Sequence, residues 1–114
     1  MDQKTIAIMP DVKQYIHFIQ KQVDIAQVIL FGSYANGTAK ETSDIDLAII
    51  SKDFGKAPLL EKLKLYEWRY DANIDADIQP VPLGIDEFSD QHNPFISAIK
   101  NTGIDITRNV LTVH

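Results

Sequence analysis

The hydrophobic spacing of this chain changes period again and again, and that succession limits the architectures open to it. Residues 11–23, DVKQYIHFIQKQV, set Val12, Tyr15, Ile16, Ile19 and Val23 three and four apart, the repeat of a helix with one apolar face. AQVILF at 26–31 is short, apolar and β-branched and stops at Gly32, while IDLAII at 45–50 is a second such run, ended by SKD. Both predict buried strands. Pro58 is placed to open a helix along which Leu59, Leu60, Leu63, Tyr66 and Tyr70 recur as an apolar face. NIDADIQPV at 73–81 alternates Ile74, Ala76 and Ile78 with Asn73, Asp75, Asp77 and Gln79, which predicts a strand with one polar face. NPFISAIKNTG predicts a short helix between Pro94 and Gly103, and IDITRNVLTV a terminal strand. Helices and strands interleave, so an α/β fold is expected.

The 114 residues suffice for one domain with a hydrophobic core and are too few for two, and no repeat or linker divides them. The expected unit is therefore 1–114. No apolar run approaches the roughly 18 residues that would cross a bilayer, and the N-terminal stretch MDQKTIAIMP has no secretory-leader pattern; a cytoplasmic protein without membrane attachment is expected. The absence of cysteine excludes disulfides, thiol catalysis and thiolate metal sites, so any metal must sit on oxygen or imidazole. With a net charge of -5 and its 11 Lys and Arg scattered, the chain has no basic footprint for a phosphate backbone. Direct nucleic-acid binding is disfavoured.

The residues that need explaining lie between the first two strands, in FGSYANGTAKETSDIDLAII. Side chains alternate along a strand, so Asp44 and Asp46 point to one side while Ile45 and Leu47 point to the other. Two carboxylates about 5 to 7 Å apart repel, and one would take up a proton unless a cation lies between them. Mg²⁺ is the natural choice, being hard and commonly shared between carboxylates and substrate phosphates. Gly32-Ser33 supplies a close backbone approach, a hydroxyl and free N–H groups to an anion. Gly37 is suited to end that turn in a left-handed conformation before the polar loop Thr38 to Ser43 returns the chain to the aspartates.

Gly32-Ser33, ten intervening residues, Asp44 and Asp46 together form a G-S-x10-D-x-D arrangement that resembles the DNA polymerase β-like nucleotidyltransferases. The small size is similar to that of their minimal members, the MNT antitoxins paired with HEPN toxins. Glycine-serine or D-x-D alone would be common; their combination at this spacing between two strands is specific. The first ten residues match nothing in that pattern. The resemblance implies a small mixed β-sheet with helices packed on one side, and Mg²⁺-dependent transfer of AMP from ATP to a hydroxyl, a tyrosine in the paired toxins. It implies Asp44 and Asp46 as metal ligands, a third catalytic and metal-binding carboxylate on a neighbouring strand, and Gly32 and Ser33 as the nucleotide cradle. Asp77 matches the third carboxylate, with Asp75, on the same predicted strand face, as its competitor. Larger relatives add a helical domain, so the implied assembly is a hetero-oligomer with a helical HEPN-type toxin. A catalytically silent antitoxin that neutralises a toxin by occlusion is the alternative, and free-standing transfer to a small molecule such as an aminoglycoside ranks below both.

Blander readings fit the other polar and aromatic residues. His17, His92 and His114 lack metal-ligand spacing. Tyr66, Trp68 and Tyr70 read as core before partner contact, and Lys40, Lys52 and Lys56 as solvated surface.

Overall fold

The computed structural model describes residues 2–111. Its centre is β2 (Ile45–Ser51), which pairs antiparallel with β1 (Gln27–Phe31) on one side and parallel with β3 (Ile78–Gly84) on the other; β4 (Ile104–Asp105) extends the sheet beyond β1 in the order β3-β2-β1-β4. A parallel neighbour needs a crossover, and α3 (Pro58–Asp71) supplies it between β2 and β3. The other helices are α1 (Gln3–Gln20), the single-turn α2 (Ser33–Asn36) and α4 (Ile85–Phe88), α5 (Pro94–Thr102) and the short α6 (Thr107–Val110). No helix among the described residues is long and apolar enough to cross a membrane.

The two faces of the sheet are covered unequally. Val28 and Leu30 of β1 with Ile45, Leu47 and Ile49 of β2 face α1 and α3, and this larger core takes in Tyr15, Ile16 and Ile19 from α1 and Leu65 from α3. Thus α1 and α3 lie on one side of the mixed sheet as expected, but the expectation that the helices pack on one side alone fails at α5. The opposite face carries Ile29, Ala48, Ile50 and Leu83, which pack against Ile96 and Ile99 of α5. Helix α5 covers only this part, and the same face continues toward the start of β2 through Asp46.

Several boundaries differ from the sequence expectation. Helix α1 begins at Gln3 rather than at residue 11 and runs through Pro10, with Asp2 accepting the Thr5 N–H as its N-cap. It ends before Val23, which packs against the core from the following turn. The predicted strand at 73–81 is displaced: residues 73–77 form a turn, with Asn73 left-handed at φ 58° and the Ile74 N–H bonded to Arg69 O, and β3 runs on through Pro80 and Pro82. Prolines survive there because β3 is an edge strand and residues 78, 80 and 82 turn their backbone groups away from β2. The expected terminal strand shrinks to β4 followed by α6, and its last residues, with His114, lie outside the described ones.

The face of α3 is also rotated. The sequence placed Leu59, Leu60, Leu63, Tyr66 and Tyr70 inward, but the inward residues are Glu61 and Leu65, with Trp68 partly buried, while Leu59, Leu60, Leu63 and Tyr70 are exposed. Glu61 decides the rotation. Its buried carboxylate accepts the N–H groups of Gly55, Lys56 and Ala57 at 2.9, 3.2 and 3.1 Å, satisfying the turn that leads into the helix.

Candidate active site

The uncovered end of the sheet collects the polar residues because of the strand register. Asp46 lies beside Gln79, Ala48 beside Val81 and Ile50 beside Leu83, so all six share the α5 face. One step back, Ile45 pairs with Ile78 and its N–H bonds Asp77 O at 2.9 Å. Asp44 and Asp77 therefore stand side by side immediately before their strands, beyond the reach of α5. Their carboxyl groups are close enough to share a proton. That shared proton, then the Asp77 charge, holds the Asp44 carboxyl above the usual carboxylate range, and the same contact with the bonds from Gln79 and Arg69 holds Asp77 below it. Desolvation, then the charge of Asp77, raises Asp46.

Gly32 explains how Asp46 fits. At φ 71° Gly32 is left-handed, and a Cβ there would overlap Asp46 Oδ2. The glycine that reads as a close approach to a ligand is first an approach to a carboxylate. Ser33 opens α2, which folds back as Gly32 O accepts from Ala35 and Asn36 and Ser33 O accepts from Thr38; Gly37, at φ 81°, ends the turn left-handed as expected. This turn is pinned from α1, where Thr5 Oγ1 donates to Tyr34 O at 3.3 Å and Lys4 Nζ to Ala39 O. The first ten residues, silent in the motif, thus steady the loop.

The register brings Asp44, Asp46 and Asp77 to one sheet end with Gly32 and Ser33. Asp75 is exposed in the turn before β3 and does not share a strand face with Asp77. Among the described residues no three carboxylate or imidazole groups stand close enough together to hold a metal ion as they are placed. By their chemistry the three aspartates offer only oxygen donors, of the kind a hard divalent ion takes, and Asp44 and Asp77 are exposed to solvent.

Three further residues attend Asp77 without having been legible in the motif. Gln79 Nε2 donates to Asp77 Oδ1 at 2.7 Å, Tyr66 donates its hydroxyl to Gln79 Oε1 at 2.5 Å, and Arg69 Nη1 lies 3.6 Å from Asp77 Oδ1 while donating to Ile78 O at 2.8 Å. Tyr66 is thus committed to the site rather than to the core. Lys52 pairs with Asp24 at 3.2 Å on the surface, away from this cluster.

Comparison with known proteins decides the lineage. The family Polymerase beta, Nucleotidyltransferase matches residues 13–109. The chain belongs to that nucleotidyltransferase family. An inferred protein adenylyltransferase of Methanocaldococcus jannaschii is 31% identical over 101 residues, covering 89% of this chain and 97% of that protein. A second from the same organism is 58% identical over 33 residues, which span 29% of this chain but only 22% of that protein's length. Among solved structures, an inferred nucleotidyltransferase from Sulfolobus solfataricus superposes with a TM-score of 0.67 at 18% identity, over 95% of this chain and 87% of the other. A chain of a toxin-antitoxin structure with AMP-PNP gives 0.59 at 20% identity, over 82% and 69%. At such identities these structures speak for the nucleotidyltransferase fold alone. The fold class and the MNT-type resemblance read from the motif agree with these matches.

Proposed function

We propose that this nucleotidyltransferase moves AMP from ATP to a hydroxyl group of a partner protein. The observation that carries the reading is the gathering of Asp44, Asp46 and Asp77 on the open sheet end beside the Gly32-Ser33 turn, where the charge of Asp77 raises both Asp44 and Asp46, a cost a purely structural role would not call for. The near full-length likeness to an inferred protein adenylyltransferase supports a protein acceptor. In the reaction the acceptor oxygen bonds to the α-phosphorus, the bond between that phosphorus and the α,β-bridging oxygen breaks, and pyrophosphate leaves. Asp44, Asp46 and Asp77 would hold Mg²⁺, which when bound supplies charge neutralisation on the phosphates and a lowered pKa for the acceptor hydroxyl. Ser33 and the backbone of its turn hold the triphosphate, and Asp77 stands where a carboxylate can take the acceptor proton.

The partner reading is a helical toxin of the HEPN type, with a tyrosine as acceptor. Likeness to a chain from a toxin-antitoxin structure supports the pairing, and the exposed Leu59, Leu60 and Leu63 of α3 offer an apolar surface to a partner. Lys56, Lys62 and Lys64 flank those leucines along α3 and the turn before it, so the complementary partner face is apolar with an acidic rim.

The test is incubation of the chain and its co-expressed partner with ATP labelled at the α-phosphate. The partner is expected to gain one or more AMP masses with the wild-type chain and none with Asp44→Asn or Asp46→Asn. Neutralisation of the toxin by both variants without any mass gain would favour occlusion; transfer at the wild-type rate by either would overturn the carboxylate mechanism.

A further inference from the structure

Asp77 is exposed at the head of an edge strand, where a carboxylate ordinarily samples several rotamers in water. Here it does not stand alone. One of its oxygens, Oδ1, receives both the Gln79 amide N–H at 2.7 Å and the Arg69 guanidinium at 3.6 Å. A carboxylate that is ionised can only accept, so it selects the amide end that Gln79 presents, and the opposite end, Oε1, takes the Tyr66 hydroxyl. Arg69 is fixed in turn: it bonds Ile78 O at 2.8 Å, the outward carbonyl of the edge strand, and its guanidinium lies 5.6 Å from the centre of the Tyr66 ring. Both Tyr66 and Arg69 come from α3, on the far face of the sheet, and reach round the β3 edge.

We infer that Arg69 and Gln79, braced by Tyr66, are positioning residues that hold Asp77 by Oδ1 and so keep its carboxylate beside Asp44 at the reacting centre. The inference rests on the reading of Asp77 as the third carboxylate and adds what aims it. Groups of this kind orient a ligand without touching the ion, and their loss costs about 10- to 100-fold in ion affinity or activity. Neither belongs to the G-S-x10-D-x-D pattern: Arg69 enters through the crossover helix and Gln79 through the register of β3.

Mn²⁺ titration of the full chain with AMP-PNP, followed through the signal of the free ion, tests this. Asp77→Asn is expected to lose one bound ion. Gln79→Met and Arg69→Met are expected to keep the same number of sites but to weaken that ion by about 10- to 100-fold, with Arg69→Lys recovering part of the loss. Melting temperature is recorded for each. Arg69→Met also forfeits the bond to Ile78 O, so if it unfolds, Gln79→Met decides, because among the described residues the Gln79 side chain bonds Tyr66 and Asp77 and no backbone group. Wild-type ion affinity in folded Gln79→Met, while Asp77→Asn loses its ion, would overturn the positioning role alone. Unchanged binding in Asp77→Asn would remove Asp77 from the site and the inference with it.

Discussion

Asp44 is the residue on which the energetics of the site turn. Its folded pKa is raised, first by the bond to Asp77, so the folded chain holds that proton more tightly than the unfolded chain does, and stability falls as pH rises from the unfolded carboxylate range through the folded value. Asp44→Asn escapes this loss. Without divalent ions it should melt higher than wild type at pH 7, and the difference should close near about pH 3, where both states carry a proton. Asp77 runs the other way: its lowered value, caused first by Asp44 and then by Gln79 and Arg69, contributes stability above the unfolded carboxylate range that is lost as pH falls, and in the variant only the part due to Gln79 and Arg69 is kept unchanged. Thermal melts across pH check the sign. Gly32→Ala should cost about 1–3 kcal/mol for a backbone, φ 71° and ψ -148°, that essentially only glycine adopts, and more as the new methyl displaces Asp46; transfer should fall with it, measured as AMP incorporation beside a melt. Asp75→Ala, by contrast, should leave incorporation near wild type, since its residue sits in the turn apart from the carboxylates. Asp44, Asp46 and Gly32 were legible because strand alternation and glycine chemistry are local. The preference for Asp77 over Asp75 came from the resemblance, while the register that places it beside Asp44 is long-range.

Helix α3 shows where local pattern misleads. Its leucines repeat at helical spacing, which reveals a face but not which way the face points. The deciding residue is polar: Glu61 is drawn inward by three backbone N–H groups, and Leu65 and Trp68 follow it. Glu61→Ala is expected to cost about 1–3 kcal/mol by leaving those donors unpaired, read by denaturant unfolding. Leu65→Ala should cost about 2–5 kcal/mol. Leu60→Ser, on the exposed side, should change stability by no more than about 0.5 kcal/mol while weakening partner binding. The same blindness to context displaced β3: alternation from Asn73 to Ile78 looked like a strand, but a left-handed Asn73 and the edge position that admits Pro80 and Pro82 moved pairing five residues on.

At the scale of the molecule, the sheet is clothed fully on one face and only partly on the other, so the carboxylate end remains open. In the proposed function the acceptor surface belongs to the partner. The isolated chain is expected to incorporate little AMP on its own and to gain activity in a complex burying at least about 1,000 Å², measured by incorporation across a titration of the partner. The alternation of periods was enough to read an α/β order, whereas the uneven covering was not, because it depends on how far α5 reaches across strands distant in sequence. The direction of α3 has a consequence for that complex. Its exposed leucines cluster at its start and Arg69, beside Asp77, near its end; nine residues of helix separate Leu60 from Arg69, a rise of about 14 Å. If the proposed partner seats on the leucines, α3 would set the distance between its anchor and the Arg69–Asp77 end of the site, and an acceptor hydroxyl would have to lie about that far from the anchor.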